Sequence, residues 1–347
     1  MQQEKRDIRS LSEEDILEVI QSYDEKPFRA KQINEWIWKK GVLSFEEMRN
    51  LPSVLQENLT ESYAFYPLRI KKEQRSKDKT IKLLMHTYDG IPLEAVLIPT
   101  KNRVTACIST QTGCVLDCSF CATAKINKFR NLTAAEIIDQ LFFVDKCAMD
   151  NFGKHLTNIV IMGMGEAFLN YAETSKALNI LTDTNYWAWS PSRITLSTAG
   201  IIPKIKAFAL DHPKIQLAIS LHAANDEKRS SIMPVNNKYN LAALREALSY
   251  YHKQTNNRIT LEYLMLKEVN DNLQDAAELA EFCKAFPVKI NLIRYNRVET
   301  SPFKASEDKS VEAFADFLKN KKNLIVTIRQ SRGEDIAAAC GQLANKS

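Results

Sequence analysis

Three cysteines carry the clearest chemical signal in this chain. Cys114, Cys118 and Cys121 are spaced C-x-x-x-C-x-x-C, directly after a short β-like run. Thiolates this close in sequence can each ligate one iron of a 4Fe-4S cluster, leaving the fourth iron without a protein ligand and open to a small molecule. The competing use of such residues is a structural zinc site, which calls for a fourth Cys or His, usually in a second closely spaced pair. No second pair exists, because Cys107, Cys147, Cys283 and Cys340 stand singly. The triplet therefore reads as a cluster site with catalysis at its open corner.

Positioning such a loop requires a scaffold, and from Lys79 onward the pattern is one of strands and helices in alternation. Residues 80–85 and 93–98 flank an Asp89-Gly90 turn signal and predict a β-hairpin. Short β-rich runs follow at 105–108, 159–162, 194–197, 217–221, 259–263, 290–293 and 324–328. Helical segments separate them, one opening on a capping box at Thr133 to Glu136 and continuing through Ile137, Ile138 and Leu141. More than 200 residues of this alternation predict an α/β fold with a parallel (β/α) barrel, full or partial.

Active sites on such folds collect at the C-terminal ends of the strands. Polar groups stand there: Gly163, Gly165 and Glu166 after one run, Ser197 and Thr198 at another, Ser220, Leu221 and His222 at a third, and Asn296 past a fourth. Residues 1–75 read instead as a helical appendage. Ser10 to Glu13 matches a capping box, Ile16, Leu17 and Ile20 recur at helical spacing, and two further periodic runs contain Ile33, Trp36 and Ile37, then residues 51–59. Trp36 and Trp38 are expected to pack rather than to stack on bases. Residues 76–347 form the second unit, the hairpin plus the barrel.

Composition sets outer bounds. With 347 residues, 45% hydrophobic and 26% charged, the chain matches an ordinary globular protein. The longest apolar runs, such as residues 159–162, are far too short to span a bilayer, and an odd count of seven cysteines fits a reducing compartment, so a cytoplasmic location is expected. A formal net charge of +5 is compatible with a polyanionic partner. Two basic clusters could meet phosphates: Lys71, Lys72, Arg75, Lys77 and Lys79, and, beside the cysteine loop, Lys125, Lys128 and Arg130.

The cysteine triplet, with Phe120 before its last member, resembles the signature of the radical S-adenosylmethionine (radical SAM) enzymes. A lone cysteine such as Cys340 is by itself a small hydrophobe. Its setting, Arg332-Gly-Glu-Asp and then Cys340-Gly-Gln-Leu343, joins residues 163–166, 220–222, 232–236 and 291–296, and Phe28 to Gln32 in the appendage, in a pattern that resembles the RlmN and Cfr family of radical SAM RNA adenine methyltransferases. The resemblance covers nearly the whole chain. It departs from the usual RlmN pattern at Ala167 and at Arg294-Tyr295, which look like the Cfr branch, and at Ala124 and Asn127, which replace glycines.

What the resemblance implies is a relay. Cys340 would take a methyl group from one SAM, and a second SAM, bound to the single 4Fe-4S cluster and cleaved reductively, would give a radical that activates this methyl group for addition to adenine. Glu94, in Leu93-Glu-Ala-Val96, would be the base that removes a proton from the adduct, and Cys107 would release the product by forming a disulfide with Cys340. SAM contacts implied in the same way are Gly165, Glu166, Ser197, Ser220, Leu221, His222 and Asn296, and the cluster ligands are Cys114, Cys118 and Cys121. Cys147 and Cys283 match no family role and are expected to pack. The implied substrates are 23S rRNA and tRNA, modified at adenine carbon 2, with carbon 8 as the Cfr alternative. The expected company is an electron donor such as flavodoxin or ferredoxin, no membrane, and a monomeric state. A cluster protein that binds RNA without catalysis, and a radical SAM activase or ring-forming enzyme, are the readings from other classes.

Overall fold

The computed structural model describes residues 5–127, 129–299 and 301–344. Three helices, α1 (Glu13–Ser22), α2 (Phe28–Trp38) and α3 (Ser53–Ser62), form the N-terminal unit, closed by a two-residue parallel pairing of β1 (Arg6–Asp7) with β2 (Tyr63–Ala64). The capping box of α1 lies two residues later than expected. Ser12 Oγ accepts from Asp15 N–H at 3.0 Å, and Asp15 Oδ2 accepts from Ser12 N–H at 2.9 Å. Ser10 is withdrawn from that role by a 3-10 turn, where its hydroxyl donates to Asp7 O. Trp38 is buried in this unit, and Trp36 is partly buried under the ammonium of Lys40.

Ten further strands form one sheet in the spatial order β12-β11-β10-β9-β8-β7-β6-β5-β4-β3. They are β3 (Arg69–Arg75), β4 (Ile81–His86), β5 (Pro92–Pro99), β6 (Val104–Ile108), β7 (Asn158–Ile161), β8 (Ile194–Thr198), β9 (Gln216–Ser220), β10 (Ile259–Met265), β11 (Val288–Arg294) and β12 (Ile325–Arg329). Strands β6 to β12 are parallel and adjacent in sequence order. Strands β3 to β6 are antiparallel and continue the same sheet. The predicted hairpin is β4–β5, and the seven β-rich runs are β6 to β12. Among the described residues nothing pairs with the outer sides of β3 and β12, so the barrel is partial.

One expectation fails at the boundary of the two units. Arg69–Arg75 is not helical; it pairs antiparallel with β4 and leaves six of its seven residues exposed, with Lys71, Lys72 and Arg75 on this open edge. Charged side chains on an unpaired edge also discourage another chain from adding to the sheet.

Helices α4 (Ala134–Phe152), α5 (Tyr171–Thr182), α6 (Ile202–Asp211), α7 (Asp226–Ile232), α8 (Leu241–Thr255), α9 (Leu273–Phe282) and α10 (Asp308–Asp316) fill the crossovers between the parallel strands. Helix α4 begins at the predicted Thr133–Glu136 capping box and ends at Gly153, whose φ of 61° is the left-handed conformation that a glycine adopts without steric cost. Its buried Ile137, Ile138 and Leu141 pack on β5 and β6, each contributing about 1.5–3 kcal/mol by leaving water. Cys147 on α4 and Cys283 just after α9 are buried, as packing residues should be.

The helical unit is attached to this scaffold by an ion pair out of water. Arg9 Nη1 lies 2.7 Å from Asp139 Oδ1 on α4, and the two side chains are 3% and 5% exposed. Asp139 Oδ2 also accepts from Leu68 N–H at 3.1 Å, while Asp7 holds the other side of the guanidinium. Asp139→Ala leaves Arg9 with Asp7 as its carboxylate partner but takes the acceptor from Arg9 Nη1 and from Leu68 N–H, so it is expected to lower unfolding free energy by about 1.5–3 kcal/mol in urea denaturation.

Candidate active site

The chain leaves β6 at Ile108 and runs into the cysteine loop, where Cys114, Cys118 and Cys121 all face one cavity at the C-terminal ends of the parallel strands. The loop is fastened locally by Cys121 N–H to Cys118 O at 3.1 Å, and to the end of α7 by Ser119 N–H to Ile232 O at 3.1 Å. The cavity holds about 1020 Å³ of space, solvent at its mouth included. Burial pushes the Cys114 thiol up to about 12 and Cys118 well above the usual thiol range, and negative charge on Cys121 adds to both shifts. Such thiols are protonated when free, and thiolates persist there only if cations neutralise them. Three soft donors around one cavity, with no fourth cysteine beside them in sequence, fit a 4Fe-4S cluster with an open iron. Among the described residues no three His, Cys, Asp or Glu side chains are arranged to hold a single metal ion.

After β7 the backbone turns through Gly163, Met164 and Gly165. A Cβ on Gly163 would stand 2.6 Å from Ser109 Oγ, and one on Gly165, at φ 95°, would stand 2.5 Å from Gln111 Cβ, so both positions require glycine. This close approach delivers Glu166 to the cavity wall, where its carboxylate accepts from Phe168 N–H at 3.0 Å and Ala199 N–H at 2.7 Å. Burial raises its pKa and the hydrogen bonds oppose the shift. A carboxylate so held could still accept from an ammonium in the cavity.

Ser197 at the end of β8 and Ser220 at the end of β9 line the cavity with their hydroxyl oxygens 3.4 Å apart. His222 follows with φ 58°, an unusual conformation for a residue with a Cβ, and its ring meets Phe120 edge to face with centroids 4.9 Å apart. Leu264 N–H donates to His222 Nδ1 at 3.1 Å, which places the proton of the neutral ring on Nε2. Leu221 and Asn296 stand differently from these. The Leu221 side chain is fully buried, its N–H donates to Glu262 O at 3.0 Å, and its carbonyl accepts from Arg229 Nε at 3.1 Å. Asn296 is 3% exposed and its Nδ2 points to Cys340 O at 3.4 Å.

The C-terminal segment carries Cys340 to the same cavity. The residue is exposed, but that surface belongs to a recess, and burial raises its thiol pKa, with Glu262 adding to the shift and Arg329 opposing it. Cys107 on β6 is near enough that a charge on Cys340 raises its pKa; burial is the larger cause, and together they push it up to about 12. Both are free thiols in this structure. Glu94 on β5 is fully buried and turned toward the C-terminal segment, with Oε1 2.9 Å from Lys82 Nζ and Oε2 accepting from Ala344 N–H at 2.9 Å.

One sequence expectation is corrected beside the loop. Arg130 is not available for phosphate: it is bonded to Glu136 at 2.7 and 2.8 Å and to Asp89 at 2.8 and 2.9 Å. Lys125 is paired with Asp117 at 2.6 Å, and Lys128 lies outside the described residues. Arg294 is likewise taken up, by Asp308.

Three charged residues escaped the sequence reading. Arg229 is 1% exposed and ties the ends of β8 and β9 together through the carbonyls of Ala199, Ser220 and Leu221 and the amide oxygen of Asn236. Glu262 lines the cavity and accepts from Asn291 Nδ2 at 2.8 Å. Lys82 is the partner of Glu94. For Lys82 and Glu262 a signal existed, since each is a lone charge inside an apolar strand run, where a buried polar group is informative.

Burial, then the charge of Arg229, lowers the His222 pKa from 6.5 to about 3. The unfolded chain binds a proton below pH 6.5 that folded His222 refuses, so this group costs stability as pH falls from 6.5 toward 3. Urea denaturation of the cofactor-free protein across that range should show a shallower loss of stability in His222→Gln than in the wild type.

Comparison with known proteins agrees with this geometry. Residues 6–64 match the ribosomal RNA large subunit methyltransferase N-terminal domain, and residues 108–283 match the radical SAM superfamily. A probable dual-specificity RNA methyltransferase RlmN of Christiangramia forsetii is 44% identical over 343 residues, 99% of this chain and 97% of the relative. The dual-specificity RNA methyltransferase RlmN of Francisella tularensis subsp. novicida is 41% identical over 350 residues, covering 99% and 94%. The crystal structure of a radical SAM methyltransferase from Sphaerobacter thermophilus superimposes with a TM-score of 0.91 at 36% identity, over 98% of this chain and all of that one. With a cysteine loop, a glycine turn and a C-terminal cysteine meeting at one cavity, and full-length similarity on both sides, the chain belongs to the RlmN family of radical SAM RNA methyltransferases.

Proposed function

We propose that this protein methylates carbon 2 of adenosine in 23S rRNA and tRNA, with Cys340 as the methyl carrier. The observation that supports this most is that Cys340, more than 200 residues beyond the cysteine loop, opens into the same cavity as Cys114, Cys118 and Cys121. Carbon 2 of adenine bears an ordinary hydrogen and is too weak a nucleophile for displacement at a methyl sulfonium. When bound, the cluster and SAM supply one-electron chemistry able to take hydrogen from a methyl group on sulfur.

The chain's own residues do the remaining work. Cys340 takes a methyl group as its thiolate, which makes two SAM molecules the requirement per turnover. Glu166, Ser197, Ser220 and His222 offer a carboxylate, two hydroxyls and one ring N–H around the cavity for SAM. The radical adduct gives up one electron while Glu94 accepts the proton from carbon 2. The Cys107 thiolate then attacks the Cys340 sulfur, so that the sulfur–sulfur bond forms as the carbon–sulfur bond breaks, and the released carbon takes up a proton to become the methyl group. An external two-electron reductant then reopens that disulfide, while flavodoxin or ferredoxin supplies the single electrons. The target base must leave its stack to reach the recess, and the lysines of β3 and the N-terminal unit hold the RNA phosphates. Among the described residues no helix is long and apolar enough to cross a membrane.

The test is nucleoside mass spectrometry after anaerobic reconstitution with reductant, methyl-labelled SAM, 23S rRNA fragments and tRNA. Labelled 2-methyladenosine is expected, and Cys340→Ala should abolish it while RNA binding stays nearly unchanged. Labelled 8-methyladenosine, or methylation by Cys340→Ala, would contradict the proposal.

A further inference from the structure

Lys82 sits on β4 and Glu94 on β5, diagonal neighbours on one face of the hairpin, since Lys82 is opposite Val96 and Glu94 is opposite Leu84. Their charged atoms are 2.9 Å apart, and the side chains are 3% and 0% exposed. An ion pair this deep in a hydrophobic sheet holds only if further hydrogen bonds satisfy what the partners leave open. Here the further bonds go to one place. Lys82 Nζ donates to Ala337 O at 3.2 Å, and Glu94 Oε2 accepts from Ala344 N–H at 2.9 Å. Ala337 precedes Cys340 by three residues and Ala344 follows it by four.

We propose that Lys82 is a positioning residue: with Glu94 it forms a buried clasp that grips both flanks of the Cys340 segment and holds this thiol over the cavity. The segment has little else of its own. Its regular structure is one 3-10 turn at Glu334–Ile336, and Ala337 adopts φ 51°, a strained conformation for a residue with a Cβ that outside contacts must maintain. A leucine–methionine pair would fill the same space without the cost of burying charge, but it would offer neither a donor for Ala337 O nor an acceptor for Ala344 N–H. Glu94 is fully buried, with Oε1 in an ion pair with Lys82 and Oε2 hydrogen-bonded to Ala344 N–H, so it meets a proton on a substrate only after its cover opens, and a shift of the segment that releases Ala344 does this. Release of the segment and exposure of the carboxylate are one event.

The clasp gains its catalytic meaning from the reading of Cys340 as methyl carrier, but it can be tested apart from it. Backbone amide exchange of the full-length protein, read on the peptide spanning residues 334–344, reports the grip directly. Lys82→Met should raise exchange there roughly tenfold, the expected effect of losing a hydrogen bond to a charged group, with β10 and β11 unchanged. Ala344→Pro removes the N–H that Glu94 holds and should raise exchange in the same peptide. Ala344→Gly keeps the N–H and should leave it slow. In the reconstituted enzyme Lys82→Met should lower kcat for RNA methylation with the KM for RNA held. Slow exchange in both Lys82→Met and Ala344→Pro would overturn the clasp. Should Lys82→Met not fold, the contrast between the two Ala344 variants decides. The exchange readout needs no methyl transfer, so failure of the clasp and failure of the carrier reading are separately visible.

Discussion

The site depends on holding a C-terminal segment of little regular structure over the open ends of a parallel sheet. Ordering a free residue costs about 1–2 kcal/mol in backbone entropy, so every atom of that segment near the chemistry needs a partner. The partners come from the parts it must serve. Ala122 N–H, one residue beyond the last loop cysteine, donates to Gly341 O at 2.8 Å, and Thr123 Oγ1 donates to Leu343 O at 2.7 Å. Asn296 reaches the carbonyl of Cys340 itself, and Lys82 and Glu94 hold the flanks. The Cys340 segment and the cysteine loop are thus joined directly, by one backbone bond and one side-chain bond beside their cysteines.

Desolvation is the second constraint, and it moves Cys107, Cys114, Cys118, Cys340, Glu166 and His222 away from their charged forms. Thiols that burial keeps protonated do not react with passing oxidants and give up their protons to metal ions instead. His222 stays a neutral donor, and Glu166 is held ready by backbone N–H groups rather than by a neutralising cation. Arg229 is the buried positive charge of the region, bound to carbonyl and amide oxygens, with Cys118 and Asp226 as the negative groups that favour its charge.

Legibility in the sequence followed the locality of the cause. The hairpin, the seven parallel strands and the Thr133–Glu136 cap rest on patterns within a few residues, and they stand where those patterns put them. The cysteine loop and the strand-end polar residues were visible for the same reason. Arg69–Arg75 falls inside the stretch expected to be helical, and Arg-Ile-Lys-Lys-Glu-Gln-Arg has no apolar alternation to announce a strand; it is one because β4 pairs with it. Arg130 was read as a phosphate contact because its partners lie elsewhere in sequence, Asp89 most remotely. Lys82 stands out in the sequence only as a lone charge in an apolar run, and its meaning comes from Ala337, 255 residues away. Cys340 and Cys107 became functional candidates only through family resemblance, since a lone cysteine is a small hydrophobe until the fold shows what it faces.

The central claim is that Cys340 carries the methyl carbon and Cys107 releases it, and the most direct test is a single substitution followed by mass. Cys107→Ala, incubated with RNA, reductant and methyl-labelled SAM, should stall with the RNA covalently attached through labelled carbon to Cys340, seen as a nuclease-trimmed nucleotide on the peptide that contains this residue. Repeated turnover to free methylated RNA by Cys107→Ala, with no such adduct, would contradict the account.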